Sequence, residues 1–184
     1  MIYRSKPADH FQSELSTICA RYQPKFIFLT DNIMPIGYFS IILNWAREEN
    51  LGVQFFYEIK SNVTRDEVRL LAEAGITAVQ PGIESLSTPI LNLMRKGVSA
   101  AQNIAFLKFA REYGIYSAYN ILVGFPNEPP NAYDSFIRQI PRLFHLQPPS
   151  GITVVEYHRF SPYHNNPERF GIELEPNPYY KMLY

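Results

Sequence analysis

Apolar positions along the chain switch repeatedly between a period of two and a helical period. Five short apolar, β-rich runs each end in a tight cluster of polar, Gly or Pro residues before the next segment begins. Residues 26–30 end in Asp31-Asn32, 55–59 in Lys60-Ser61-Asn62, and 77–80 in Gly82-Ile83-Glu84-Ser85 just after Pro81. Residues 118–123 end in Gly124-Phe125-Pro126-Asn127-Glu128, and 153–157 in His158-Arg159-Phe160-Ser161-Pro162. Strands alternating with helices predict βα units on a parallel sheet, whose strand carboxyl ends share one rim where ligands bind. The five polar clusters are therefore expected to converge on one site.

The helices between these runs carry their own signals. The chain opens with a helix running to Tyr22, with Pro7 in its first turn. Residues 38–49 place Phe39, Ile42, Leu43 and Ala46 on one face. Thr64 and Glu67 have capping-box spacing, and the helix they start stops at Gly75. A short helix is expected over 88–95, one capped by Ser99 runs to Tyr113, and the last spans 132–145. The 161–184 segment, rich in Pro, Asn and Tyr, reads as an irregular tail. The predicted fold is α/β: a partial (β/α) TIM-like barrel with about five parallel strands, in one domain over 1–184. Five strands cannot close an eight-stranded barrel, and an opening helix is half of a unit. A strand before residue 1 is therefore expected to be missing. The edge of the 26–30 strand should then self-associate or be covered by an N-terminal segment.

Composition narrows the function classes. Of 184 residues, 46% are hydrophobic and 15% aromatic, enough for one real core. Seventeen basic residues balance seventeen acidic ones, which is no nucleic-acid footprint. No apolar run has the length of a membrane span and no signal peptide is visible, so a cytoplasmic location is expected. The single cysteine, Cys19, shares helical spacing with Phe11, Leu15 and Ile18 and reads as a buried apolar residue. The four histidines lack the His-x-x-x-His spacing of a helical zinc site; His158 and His164 are the pair closest in sequence.

The strand-end clusters contain the candidate chemistry. Gly124 lets a flat ligand approach the main chain, and Glu128 sits near a helix start, where a carboxylate is favoured. Glu84 can accept two hydroxyl hydrogen bonds, as from a ribose diol; alternatively Glu84 and Ser85 are capping groups of the next helix. Asp31 and Asn32 are turn residues or ligand contacts. Lys60 can be drawn inward to pair with Glu58, Glu84 or a ligand carboxylate. Arg159 is a carboxylate clamp or a surface ion-pair residue.

Seven motifs in order then resemble a known family. They are Tyr3-Arg4-Ser5-Lys6, Thr30-Asp31-Asn32-Ile33, Tyr57-Glu58-Ile59-Lys60-Ser61-Asn62 and Gln80-Pro81-Gly82-Ile83-Glu84-Ser85-Leu86-Ser87. Leu93-Met94-Arg95-Lys96-Gly97-Val98, Asn120-Ile121-Leu122-Val123-Gly124-Phe125-Pro126 and Arg159-Phe160-Ser161-Pro162-Tyr163-His164 complete the set. The chain resembles the radical S-adenosylmethionine enzymes, nearest to the cobalamin-binding branch that matures ribosomally made peptides by C-methylation. The resemblance implies a partial barrel whose three-cysteine loop holds a four-iron four-sulfur cluster. One electron then cleaves S-adenosylmethionine to a 5′-deoxyadenosyl radical that acts on a peptide substrate. By the same resemblance, Asp31 and Asn32 face the methionine end of S-adenosylmethionine and Glu84 and Ser85 face its ribose. Ile121 to Gly124 support adenine, and Lys60 and Arg159 face ligand or substrate.

This sequence lacks the cysteine triad, which belongs just before Tyr3. Cluster and cobalamin are thus expected only in a full-length enzyme. The chain would be an excised piece, a truncated reading frame or one part of a split enzyme, with the missing segment or a cobalamin domain as its partner. Two other readings stay open. One is a non-catalytic nucleoside- or peptide-binding module. The other is an unrelated βα-barrel enzyme using Asp31, Glu58, Lys60 and Glu84 for acid/base work.

Overall fold

The structure is a computed structural model and describes residues 4–31 and 33–183. The first helix, α1, covers Ala8–Tyr22, with Pro7 at its N-cap. Strand β1 (Phe26–Phe28) follows, then α2 (Ile42–Glu49), β2 (Gln54–Glu58), α3 (Arg65–Glu73) and β3 (Ile76–Gln80). Next come α4 (Thr88–Leu93), α5 (Ala100–Glu112), β4 (Tyr116–Ser117) and β5 (Asn120–Val123). The chain continues with α6 (Asp134–Gln139), β6 (Gly151–Val154), α7 (Pro162–Asn165) and α8 (Tyr180–Leu183).

All strand pairs are parallel. β1, β2, β3 and β4 form one sheet in that order, and β5 pairs with β6. Among the described residues the sheet does not close into a barrel. Where one strand was expected over 118–123, the chain changes partner. Ala118 still donates its N–H to the Val79 carbonyl (2.9 Å), whereas the Tyr119 carbonyl accepts from Ser150 (2.7 Å). β4 thus belongs to β3 and β5 to β6, and the stretch serves as one bent stave. On the other side, β1 pairs with β2 alone among the described residues, and Phe26 and Phe28 are exposed.

The core lies between the sheet and its helices. Alternate residues Phe55, Tyr57 and Ile59 are buried, with Val79 and Ile121, against Val68 and Leu71 of α3 and Phe106 and Leu107 of α5. β2 buries Phe55, Phe56 and Tyr57 in succession, and the apolar helix faces cover the sheet, which removes both from water. Cys19 is half-buried against this core, and burial pushes its thiol pKa up.

Local chemistry sets the helix ends. Thr64 accepts the Glu67 N–H (3.3 Å) while the Glu67 carboxylate accepts the Thr64 N–H (2.6 Å). Ser99 and Gln102 form the same reciprocal box at the start of α5. The helix expected over 38–49 begins late, after a 3₁₀ turn at Ile36–Tyr38. There Ser40 donates its hydroxyl to the Gly37 carbonyl (3.1 Å) and the Asn44 amide donates to the Ser40 carbonyl (3.0 Å). Side chains that bond nearby carbonyls in this way compete with the helix. The helix expected over 132–145 shortens to α6 plus a 3₁₀ turn, Ile140–Arg142, because Pro141 has no N–H to continue the ladder. The 161–184 tail is not irregular throughout. Ser161 caps α7, a 3₁₀ turn covers Pro167–Phe170, and α8 follows. No helix among the described residues is long and apolar enough to cross a membrane.

Gly75 fixes the junction between α3 and β3. Its φ is +88°, a Cβ there would sit 2.7 Å from the Val53 carbonyl oxygen, and its own carbonyl accepts the Phe55 N–H (2.9 Å). Gly75→Ala is expected to cost about 2 kcal/mol or more, since it combines left-handed strain with a backbone clash. Urea denaturation would show this as a lowered midpoint at unchanged slope.

Candidate functional site

A cleft of about 530 Å³ opens at the carboxyl ends of β2 and β3. Glu58, Lys60 and Ser61 form one wall, Gly82 and Glu84 another, and Arg95 to Val98 the third. A second hollow of about 290 Å³ adjoins it, reaching Tyr119, Asn120, Leu122 and Ser150 on the β5 side. Gln80, Gly82 and Glu84 line both, so Glu84 stands at the junction of the two lobes.

The β3–α4 turn raises Glu84 into this position. Gly82 has φ +54° and Glu84 itself has φ +43°. A left-handed backbone is unfavourable for a residue with a Cβ, so the surroundings must hold it there. The Glu84 Oε2 atom is buried, and the Lys96 ammonium lies 2.7 Å from it as an ionic contact.

The end of α4 delivers Lys96. The Lys96 N–H bonds the Leu91 carbonyl and the Arg95 N–H bonds that of Asn92, both at 3.0 Å. This is a Schellman motif with Arg95, φ +55°, at the left-handed position. It turns the chain so that the next side chain reaches Glu84. Lys96 and Arg95 were not singled out by strand-end reasoning, because they belong to a helix terminus that only the packed turn brings to the rim. Their sequence signal was the Leu93-Met94-Arg95-Lys96-Gly97-Val98 run, one of the seven motifs that carry the resemblance.

The expected residues divide. Glu84 and Lys60 line the cleft, but Lys60 is exposed, and Lys96 rather than Lys60 pairs with Glu84. Ser85 is buried, and its hydroxyl oxygen accepts the Ser87 N–H (3.1 Å), so it shapes the turn rather than the cleft wall. Asp31 accepts the Tyr57 hydroxyl (2.6 Å) and lies outside the cleft lining, where Ile33 stands; Asn32 lies outside the described residues. Ile121 is in the core, while its neighbours Asn120 and Leu122 line the second hollow. Gly124 has φ +83° and a Cβ there would lie 3.2 Å from Val154 Cγ1, so its close approach is to β6. Arg159 is exposed, with its guanidinium 5.3 Å from the Phe160 ring centroid, and lines neither lobe. Glu128 accepts the Tyr133 hydroxyl at 2.5 Å, and desolvation followed by that bond raises the Tyr133 pKa.

The electrostatics suit a zwitterion. Glu58 and Glu84 share one cleft with Lys60, Arg95 and Lys96. Burial pushes Tyr119 in the second lobe up to about 12, so it stays neutral at physiological pH; its hydroxyl donates to the Gln147 carbonyl (2.9 Å). Acceptor and donor groups thus meet at the junction of the two lobes. An iron–sulfur cluster does not fit the residues present. Cys19 is the one cysteine of the sequence and sits on α1, and no three His, Cys, Asp or Glu gather as metal ligands among the described residues.

Comparison with known proteins places this geometry in context. A family model described as the Radical SAM superfamily matches residues 7–140. An uncharacterised methyltransferase of Pyrococcus horikoshii is 28% identical over 145 residues, which is 77% of this chain and 31% of that protein. The chain therefore spans about a third of that relative's length. Among solved structures, TsrM from Kitasatospora setae, a radical S-adenosylmethionine methyltransferase with tryptophan substrate and an S-adenosylmethionine analogue bound, superposes with a TM-score of 0.66. It has 16% identity, over 80% of this chain and 30% of that one. OxsB, a cobalamin-dependent S-adenosylmethionine radical enzyme, gives a TM-score of 0.59 at 18% identity, over 70% of this chain and 21% of that one. These likenesses are of fold.

The left-handed backbone at position 84 makes a stability prediction. Glu84→Gly is expected to be more stable than Glu84→Ala by about 1 kcal/mol, because both lose the Lys96 contact but only glycine relieves the φ strain. Thermal melts of the two variants side by side would show the order.

Proposed function

Since the chain belongs to the radical S-adenosylmethionine superfamily, we propose that the cleft at the ends of β2 and β3 binds S-adenosylmethionine. Glu84 would accept from the ribose diol at the lobe junction. Lys60, Arg95 and Glu58 would meet the zwitterionic amino-acid end, and the hollow beside Tyr119 and Leu122 would take the adenine. The observation that carries this reading is the half-buried Glu84 carboxylate, held at φ +43° between the two lobes with Lys96 beside it.

At a complete site, bound S-adenosylmethionine would supply a methyl group or, once reduced by one electron from a cluster, radical chemistry at a C–H bond. This chain's own residues bind and orient it. Glu84 and Gly82 fix the nucleoside, and the cationic wall neutralises the carboxylate. The names and folds of the relatives support a C-methyltransferase-like role with cobalamin and a four-iron four-sulfur cluster. We place those groups on segments beyond these residues. A peptide substrate and a cytoplasmic setting complete the reading. The outer edge of β1, which carries no strand among the described residues, is the docking edge for a further segment or a second copy.

Isothermal titration of S-adenosylmethionine into the protein tests the core of this reading. Saturable one-to-one binding is expected, and Glu84→Gln should weaken it about tenfold, the size of a lost hydrogen bond to a charged group. No binding, or an unchanged affinity in Glu84→Gln, would overturn it.

A further inference from the structure

Glu84 sits in a tight turn closed by the Ser85 N–H on the Ile83 carbonyl, and further elements hold that turn. Among the described residues, three successive carbonyls around it are engaged. The Glu84 carbonyl accepts the Leu122 N–H (2.8 Å). Those of Ile83 and Ser85 both accept from one side-chain amide, Asn103 Nδ2, at 3.1 and 2.9 Å. Asn103 is fully buried on α5, and its Oδ1 accepts the Ser61 hydroxyl at 2.6 Å. The opposite amide orientation would face Oδ1 towards two carbonyl oxygens, so the network fixes it.

We propose that Asn103 is a positioning residue: it clamps the carbonyls on both sides of Glu84, holds that residue left-handed, and so aims its carboxylate into the cleft. Returning Glu84 to the right-handed region would rotate these peptide groups and break at least one of the three bonds. The Ser61 bond extends the clamp to the opposite wall, since Ser61 lines the cleft at the end of β2. One buried side chain therefore sets the spacing between the two walls. Asparagine is a poor helix former at an interior position. Its use near the start of α5 is explained by what its amide holds. An asparagine has the required two donors and one acceptor; an aspartate lacks the donors and an alanine lacks all three.

The consequence for ligand binding rests on the S-adenosylmethionine reading, while the consequence for the backbone does not. Two measurements keep them apart. In Asn103→Ala, hydrogen exchange at the Leu122 amide should accelerate about tenfold or more, with Leu71 and Val79 amides unchanged, because local opening is freed without global unfolding. The same variant should bind S-adenosylmethionine about tenfold more weakly, and combining it with Glu84→Gln should add no further loss, as expected for residues acting through one group. Ser61→Ala, a milder variant that leaves both Nδ2 bonds possible, should shift both readings the same way by a few-fold. Unchanged exchange at Leu122 in both variants would overturn the clamp. So would a full additional loss of affinity in the Glu84→Gln background, since Asn103 would then act by another route. If the unaltered protein binds no S-adenosylmethionine, the functional reading falls, and the exchange measurement still decides whether Asn103 holds Glu84.

Discussion

The register of β2 against β3 is the constraint on which the site depends. The Phe55 N–H bonds the Gly75 carbonyl and the Ile59 N–H bonds the Gln80 carbonyl, both at 2.9 Å, so the two strands end level. Glu58 stands opposite Gln80, and both face the cleft, while Tyr57 and Val79, one residue back, lie in the core. A slip of one residue would exchange these faces. The pairing shifts by one residue between Phe55 and Phe56, so the tight turn at Gly75, where no side chain fits beside the Val53 carbonyl, fixes only the start of β3.

The rim built on this register uses backbone conformations that cost free energy. Glu84 and Arg95 are both non-glycine residues at positive φ, and they bracket the Glu84–Lys96 contact. Left-handed residues tend to persist where the surroundings over-determine them, and such places are often functional. Here the surroundings are the Schellman end of α4, the Asn103 amide and the pairing of Leu122 with Glu84. Three elements far apart in sequence thus agree on the orientation of one carboxylate. Partial burial of the ion pair gives it more weight than an exposed pair, which contributes little.

Around the rim the sheet is open. β4 and β5 divide one stave between two partners, and β1 leaves an edge with exposed Phe26 and Phe28. The same opening leaves the cleft broad. Main chain at Gly82 and charged side chains then line one cleft, at the strand ends where ligands bind in an α/β fold.

Much of this was legible in the sequence, for a local reason. The capping box at Thr64–Glu67, the cap at Ser99, the glycine stop at 75 and the apolar runs of the sheet all depend on residues within a few positions of one another. The place of Glu84 at the rim was legible too, since it follows the strand that ends at Gln80. The partners of these residues were not. Lys96 rather than Lys60 meets Glu84, Ser85 turns inward, and Arg159 stays away from both lobes. Asn103, 42 residues from Ser61, carried no signal, because a buried amide in a helix reads as a weak helix former until its three partners are seen. Local pattern determined which elements form and which ends carry polar groups. Only the packed structure decided which side chains face one another, because hydrogen-bond satisfaction of buried groups is settled between elements and not along them.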